Sequence, residues 1–259
     1  MRKNLKTMDL QAIYVMWLRQ MKRFVRSKSR LLITIIQPLL FLFILGSGFR
    51  SITMPGLEGN FIHFFAPGIV AMAILFSSMF AGVSILWDKQ FGFLQEVLVA
   101  PVSRFSIIVG RTLGGATTAL IQGFVILMIA ILIGTPISGI PGLLLSIIFM
   151  ILIAFSAVGF GLIIASKLTD FQSFPVIMNL IIMPLLFLSS AFFPVAENPT
   201  LLKIAYFNPL FYMVDGLRGS LIGVEHAVIK NPLISLTIVF ILCLTLLSIG
   251  SILFSKSEA

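Results

Sequence analysis

The chain has 259 residues, of which 59% are apolar and only 10% are charged. Soluble domains carry roughly 25% charged residues, so this composition excludes a water-soluble globular protein and points to lipid as the solvent. The net charge of +9 is not that of a nucleic-acid-binding domain, because nine of the 18 Lys and Arg residues fall in the first 30 positions, a membrane-surface distribution.

Residues 1–30 read as a basic cytoplasmic tail and an amphipathic helix. Apolar Leu10, Tyr14, Trp17, Leu18, Met21 and Val25 recur at helical spacing, while Arg19, Gln20, Lys22, Arg23 and Arg26 take the other face. Such a helix is expected to lie in the plane of the membrane–water interface. The first apolar run sits too far from the N-terminus for a signal peptide and lacks a small-residue cleavage site, so it is expected to remain as an anchor. Residues 31–259 then divide into six apolar spans of about 20 residues each. These are 31–49, with Gln37 and Pro38 inside; 61–86, closed by Trp87 as an aromatic anchor; 113–133; 143–165; 174–193, interrupted by Pro184; and 233–254. The expected fold class is all-α and polytopic. In the third span Gly115, Ala119 and Gly123 form a stripe on which another helix can close.

Between the second and third spans lies the stretch Trp87 to Arg111, WDKQFGFLQEVLVAPVSRFSIIVGR. Its length and its charges, Asp88, Lys89, Glu96, Arg104 and Arg111, exceed what a connector needs. Phe91 to Ala100 reads as a short amphipathic helix ended by Pro101, since proline disfavours helix at the residue before it. This patterning predicts a docking surface. Arg111, near a boundary, can snorkel outward.

Between the fifth and sixth spans, residues 194–231 hold two short apolar helices, 201–207 and 211–222, divided by Asn208-Pro209. They either dip into the membrane from outside or rest on the outer surface as a cap. Asp215 and Arg218 stand three apart and can pair on one helix face. Counting Lys and Arg by side places both termini and the Trp87–Arg111 stretch in the cytoplasm.

The sequence has no phosphate-cradling glycine loop, so the chain is not expected to hydrolyse ATP. Its two histidines, His63 and His226, are isolated and make neither a zinc site nor a triad. Cys243 reads as a small lipid-facing or packing residue. No cofactor or metal is expected. The span cores lack carboxylates, whereas ion-coupled carriers usually keep ionisable groups near mid-membrane. Any uphill transport therefore draws its energy from a partner.

Two segments carry a family resemblance. One is Phe65 to Gly115, with its charged turn followed by Leu-x-x-x-Leu-x-x-Pro-Val-Ser-Arg-like residues. The other is Leu188 to Gly219, with Phe-Phe-Pro, Asn-Pro-Leu and Asp-Gly-Leu-Arg-Gly. Together, in this order, they resemble the membrane subunit of type-2 ABC exporters, the permeases of drugs, lipo-oligosaccharides and polysaccharides. The resemblance implies a prokaryotic plasma-membrane dimer, homodimer or heterodimer, with a translocation path between subunits. It also implies two copies of a separate ATPase docked below; a separate ATPase chain is favoured because this chain ends shortly after its sixth span. It makes Phe91, Gly92, Leu94, Glu96 and Arg104 candidate coupling residues. It also makes Phe76, Met79, Asn179 and Phe187 candidates for the path. Where many members have a denser run of charges, this chain has only Asp88-Lys89-Gln90. The cargo expected of such apolar spans is hydrophobic or amphipathic. The competing readings are an ion-driven carrier or channel, a membrane enzyme such as a lipid transferase, and a structural scaffold.

Overall fold

The computed structural model describes residues 9–48, 61–90, 102–168, 170 and 172–257. Among these residues every regular element is helical. We number the α-helices α1 (Leu10–Arg26), α2 (Lys28–Gly48), α3 (Phe61–Gln90), α4 (Arg104–Leu132), α5 (Gly139–Lys167), α6 (Ser173–Phe187), α7 (Pro199–Ala205), α8 (Pro209–Leu221) and α9 (Pro232–Ser257). Four stretches are long and apolar enough to cross a membrane: Phe61–Gly82, Phe105–Leu132, Gly139–Lys167 and Pro232–Phe254. The chain is therefore a multi-pass membrane protein. Two apolar stretches are shorter, Leu32–Gly48 in α2 and Ser173–Phe187 in α6. At 1.5 Å per residue, α6 is about 22 Å long against a hydrocarbon core of about 30 Å.

Helix ends follow local chemistry. The Asp9 side chain accepts from the amides of Gln11 and Ala12 at 3.0 and 3.3 Å and starts α1. Ser103 caps α4 by accepting from Ser106 N–H at 3.1 Å. Asn198 and Asn208 cap α7 and α8, each followed by a proline whose missing N–H costs nothing at the first helical position. Asp170 accepts from the Ser173 amide and hydroxyl at the start of α6, and those two donors hold its carboxyl below the usual carboxylate range.

α3 is the hub, packed against α2, α4, α5 and α8. Its apolar window is 89% buried, against 22% for α9 at the periphery. Lipid offers no hydrophobic drive between helices, so close approach rests on small residues. A Cβ on Gly115 would lie 2.7 Å from Ala81 Cβ, and one on Gly123 would lie 2.5 Å from Ile74 Cγ1, which puts the small-residue stripe of α4 against α3. Gly82 of α3 meets the backbone of Gly161 on α5, and Gly159 of α5 meets the backbone of Leu246 and Leu247 on α9. Cys243 is buried in this packing.

The segment between α6 and α9 is packed into the bundle. Residues 213–223, covering the last three turns of α8, are buried throughout, against α5, α9 and α3. Gly216 abuts the Phe149 ring on α5, the Ser146 and Ser220 hydroxyls are 2.9 Å apart, and Ser138 N–H donates to Leu221 O at 2.7 Å. The backbone polar groups of α8 are thus sheltered by protein on several sides. α6 ends at Phe187, six residues short of the span expected from sequence. The chain then turns irregularly through buried Ser189, Ser190 and Ala191.

Candidate functional site

Three places carry the polar groups that an apolar bundle would otherwise exclude. The first is the foot of the bundle, where α1 docks. Asp9 N–H donates to Ser106 Oγ at 2.9 Å, and the Ser103 and Ser106 hydroxyls are 2.7 Å apart. Farther along, Gly110 approaches Ile13 and Met16, Gly114 approaches Gln20, and Trp17 Nε1 donates to Thr117 Oγ1 at 3.2 Å. Residue numbers rise together on both sides, so α1 runs beside α4 in the same direction. Its buried residues are Ile13 and Met16, while Leu10, Tyr14 and Val25 from the apolar stripe are exposed. The helix thus grips α4 through Ile13, Met16 and Trp17, with Leu18 and Met21 half-buried and Leu10, Tyr14 and Val25 outward.

α4 begins nine residues before the span read from sequence, and its first turns form the surface that α1 grips. The candidate coupling residues Phe91, Gly92, Leu94 and Glu96 lie outside the described residues, as does the expected helix from Phe91 to Ala100. Arg104 is the first residue of α4, directly after the Ser103 cap. Arg111 is buried rather than extended outward.

The second place is a knot near the start of α3, at the end of the bundle away from the foot. Asp215 and Arg218 on α8 are both 0% exposed. They share a helix face as the spacing suggested, but each engages other groups. The Asp215 carboxylate oxygens accept from Val228 N–H at 2.7 Å and Ile229 N–H at 2.9 Å. The Arg218 guanidinium donates to Phe64 O at 3.3 Å, to Ser190 Oγ at 3.2 Å and to Ser190 O. Its carbon also lies 3.8 Å from the centre of the Phe64 ring. Ser190 is held at φ 63°, a left-handed conformation that costs a non-glycine residue about 1–2 kcal/mol. Arg218 thereby ties the break after α6 to the start of α3, while Asp215 ties α8 to the chain leading into α9. Sequence spacing found the pair; nothing in it named these partners, which lie up to 154 positions away.

The third place is an open face. Phe76 is half-buried and Met79 is 1% exposed, both packed into the core around α3. Asn179 and Phe187 on α6 are exposed. Phe192 contacts both Phe187, at 5.1 Å between ring centres, and Phe41 of α2, at 6.3 Å. Phe192, beyond the end of α6, thus bridges Phe187 of α6 and Phe41 of α2, and each of these two helices bears one exposed amide, Gln37 and Asn179. Gln37 stood in the sequence reading only as a polar residue within a span. No group of three or more His, Cys, Asp or Glu able to hold a metal occurs among the described residues.

Buried polar knots on an all-helical, multi-pass scaffold with a docked basic N-terminal helix fit the exporter-permease resemblance, and comparison with known proteins decides it. Residues 11–222 match the family described as ABC-2 type transporter. The chain belongs to that family. The permease is accordingly the membrane subunit of an ABC transporter. It is 30% identical over 213 residues to the transport permease ycf38 of Cyanophora paradoxa, covering 81% of this chain and 73% of that one. It is 25% identical to the inner membrane transport permease YadH of Escherichia coli K12, over 83% of this permease and 84% of YadH. It is 26% identical to nodulation protein J of Rhizobium leguminosarum bv. viciae, over 72% of each chain.

Proposed function

We propose that the permease is one of two membrane subunits of an exporter in a prokaryotic plasma membrane, driven by two copies of a separate ATPase docked on its cytoplasmic side. In this reading residues 1–30 are cytoplasmic tail and docking helix, residues 31–259 cross the membrane six times, and both termini are cytoplasmic. The segment Phe91, Gly92, Leu94, Glu96 through Arg104 receives the ATPase. ATP-driven closure moves that segment, and alternating access follows.

One observation carries the proposal. α4 runs unbroken from its Ser103 cap into the middle of the bundle, and α1 is fastened along its foot. Close-packed interiors transmit displacement rather than absorb it, so a push delivered at residues 91–103 moves α1, α4 and the packed α3 together. The exposed apolar faces of α2 and α6 then supply the path side, with Asn179, Phe187 and Gln37 toward the cargo or the second subunit; Phe76 and Met79 act from within the core. A face so apolar, relieved by two amides, suits a hydrophobic or amphipathic cargo.

The test replaces Glu96→Gln and Arg104→Gln separately in the complex purified with its ATPase. The expected result is a loss of export of about tenfold or more, the scale of coupling free energies of about 1–3 kcal/mol, with insertion and ATP hydrolysis retained. Wild-type export in both variants would overturn the docking assignment. Failure to retain any ATPase after cross-linking in native membranes would turn the reading toward an ion-driven carrier.

A further inference from the structure

The bend between α1 and α2 carries a feature that the transport reading leaves unused. Arg19, Lys22, Arg23, Arg26 and Lys28 line one open groove of about 1050 Å³, with Val15 and Leu18 as its apolar wall. No acidic side chain among the described residues lines it. Lys22, Arg26 and Lys28 are exposed, and Arg19 and Arg23 are half-buried. The groove lies on the side of α1 away from Ile13 and Met16, the residues that grip α4.

Gln122 Nε2 donates to Thr34 Oγ1 at 2.9 Å, next to Gly123, which packs on Ile74 inside the bundle. Lys28 precedes Thr34 by six residues, about 9 Å along the helix. Just beyond Lys28, Leu32, Ile33 and Ile36 are 60%, 63% and 47% exposed. A second, apolar groove of about 490 Å³ continues up α2 along Ile33, Ile36, Leu40 and Ile44. Cations at one level, followed within a turn by exposed aliphatic side chains, reproduce the order of a phospholipid: anionic headgroup, then acyl chain.

We propose that the α1–α2 bend is a binding site for an anionic phospholipid, its phosphate held by Lys22, Arg26 and Lys28 and its acyl chain laid along the exposed face of α2. An acidic protein surface would match the charge but not the aliphatic face directly beyond it. The lipid would hold α1 at the membrane surface, and thus fix the helix fastened to the foot of α4. The site does not depend on the ATPase reading, because lipid binding is measured on the permease alone.

The experiment is native mass spectrometry of the full-length permease in mild detergent, titrated with phosphatidylglycerol, phosphatidylcholine or inorganic phosphate. Each near-surface cation contributes about fivefold toward anionic lipid. The wild-type chain should therefore retain phosphatidylglycerol at least about tenfold better than phosphatidylcholine, and the triple variant K22Q/R26Q/K28Q should lose most of that preference. The variant K203Q/K230Q, altered at the predicted outer side, controls for net charge and should keep it. Equal retention of both lipids by the wild type, or the same preference in the triple variant, overturns the proposal. Displacement of phosphatidylglycerol by inorganic phosphate, but not by chloride at matched ionic strength, shows a phosphate site and overturns the lipid assignment. A triple variant that keeps its lipid but no longer holds the ATPase shows a protein-docking surface instead.

Discussion

Asp215 uses each of its oxygens for one backbone amide, Val228 at 2.7 Å and Ile229 at 2.9 Å, in a place with no exposure. Asp215→Asn keeps the shape but offers one acceptor and one donor where two acceptors are needed. One amide then faces an NH2 group, which costs about 1–3 kcal/mol for an unsatisfied buried donor. For a chain of this size that lowers the thermal midpoint by about 2–4 °C per kcal/mol, measurable in detergent. An unchanged midpoint would show that Asp215 does not hold the chain leading into α9. The sequence exposed this residue as a carboxylate three positions from an arginine on an apolar helix. It could not expose its partners, because backbone amides carry no residue identity and the contacts form only once α8 is inserted.

Among whole elements, the six apolar helices, the small-residue stripe of α4 and the Asn208-Pro209 division between α7 and α8 were legible, because periodicity, glycine spacing and proline breaks are local. The lengths were not. α4 extends to Arg104 because Ser103 caps it and α1 covers its foot, neither of which hydropathy reports. α6 stops at Phe187 because the following residues are bound by Arg218, a tertiary cause. The bundle's tolerance of side chains is likewise tertiary. A Cβ on Gly159 would lie 2.9 Å from Leu246 C and Leu247 N, backbone atoms of α9 that move only if the helix moves. Gly159→Ala should therefore destabilise by about 1–3 kcal/mol through overpacking. Gly48→Ala, with nothing among the described residues within 4 Å, should stay within about 0.5 kcal/mol. Detergent unfolding of the two variants side by side checks this. Equal stability would mean that α5 and α9 do not meet at Gly159.

At the scale of the molecule, the contacts bear on how many times the chain crosses. The start of α1 lies at Ser106, near the foot of α4, while Gly46 at the end of α2 packs on Ile62 at the start of α3. Because α3 and α4 are antiparallel neighbours, with Ala81 opposite Gly115 and Ile74 opposite Gly123, these two contacts lie at opposite ends of the bundle. α1 rises beside the first turns of α4 and α2 goes on from Thr34, beside Gln122, to Gly46, so the two helices together connect one end to the other. α6 does the same in fewer residues: Phe174 meets Phe80, and Ser190, just after the helix, meets Arg218 beside Phe64. Phe80 and Phe64 are about 24 Å apart along α3 at 1.5 Å per residue, so the short helix and its bound extension together approach the thickness of the hydrocarbon core. Six crossings and four crossings make different predictions at Lys203. If α2 and α6 both cross, Lys167 and Lys203 face opposite sides; if neither does, they face the same side. In a Cys243→Ala background, single cysteines at Lys167, Lys203 and Glu225, all exposed positions, are treated in intact cells with a membrane-impermeant maleimide. The expected pattern is labelling at 203 and 225 from outside, and at 167 only after permeabilisation. Labelling of 167 and 203 under the same condition would show that α6 does not cross, and labelling of 167 alone from outside would reverse the orientation that the basic N-terminus dictates.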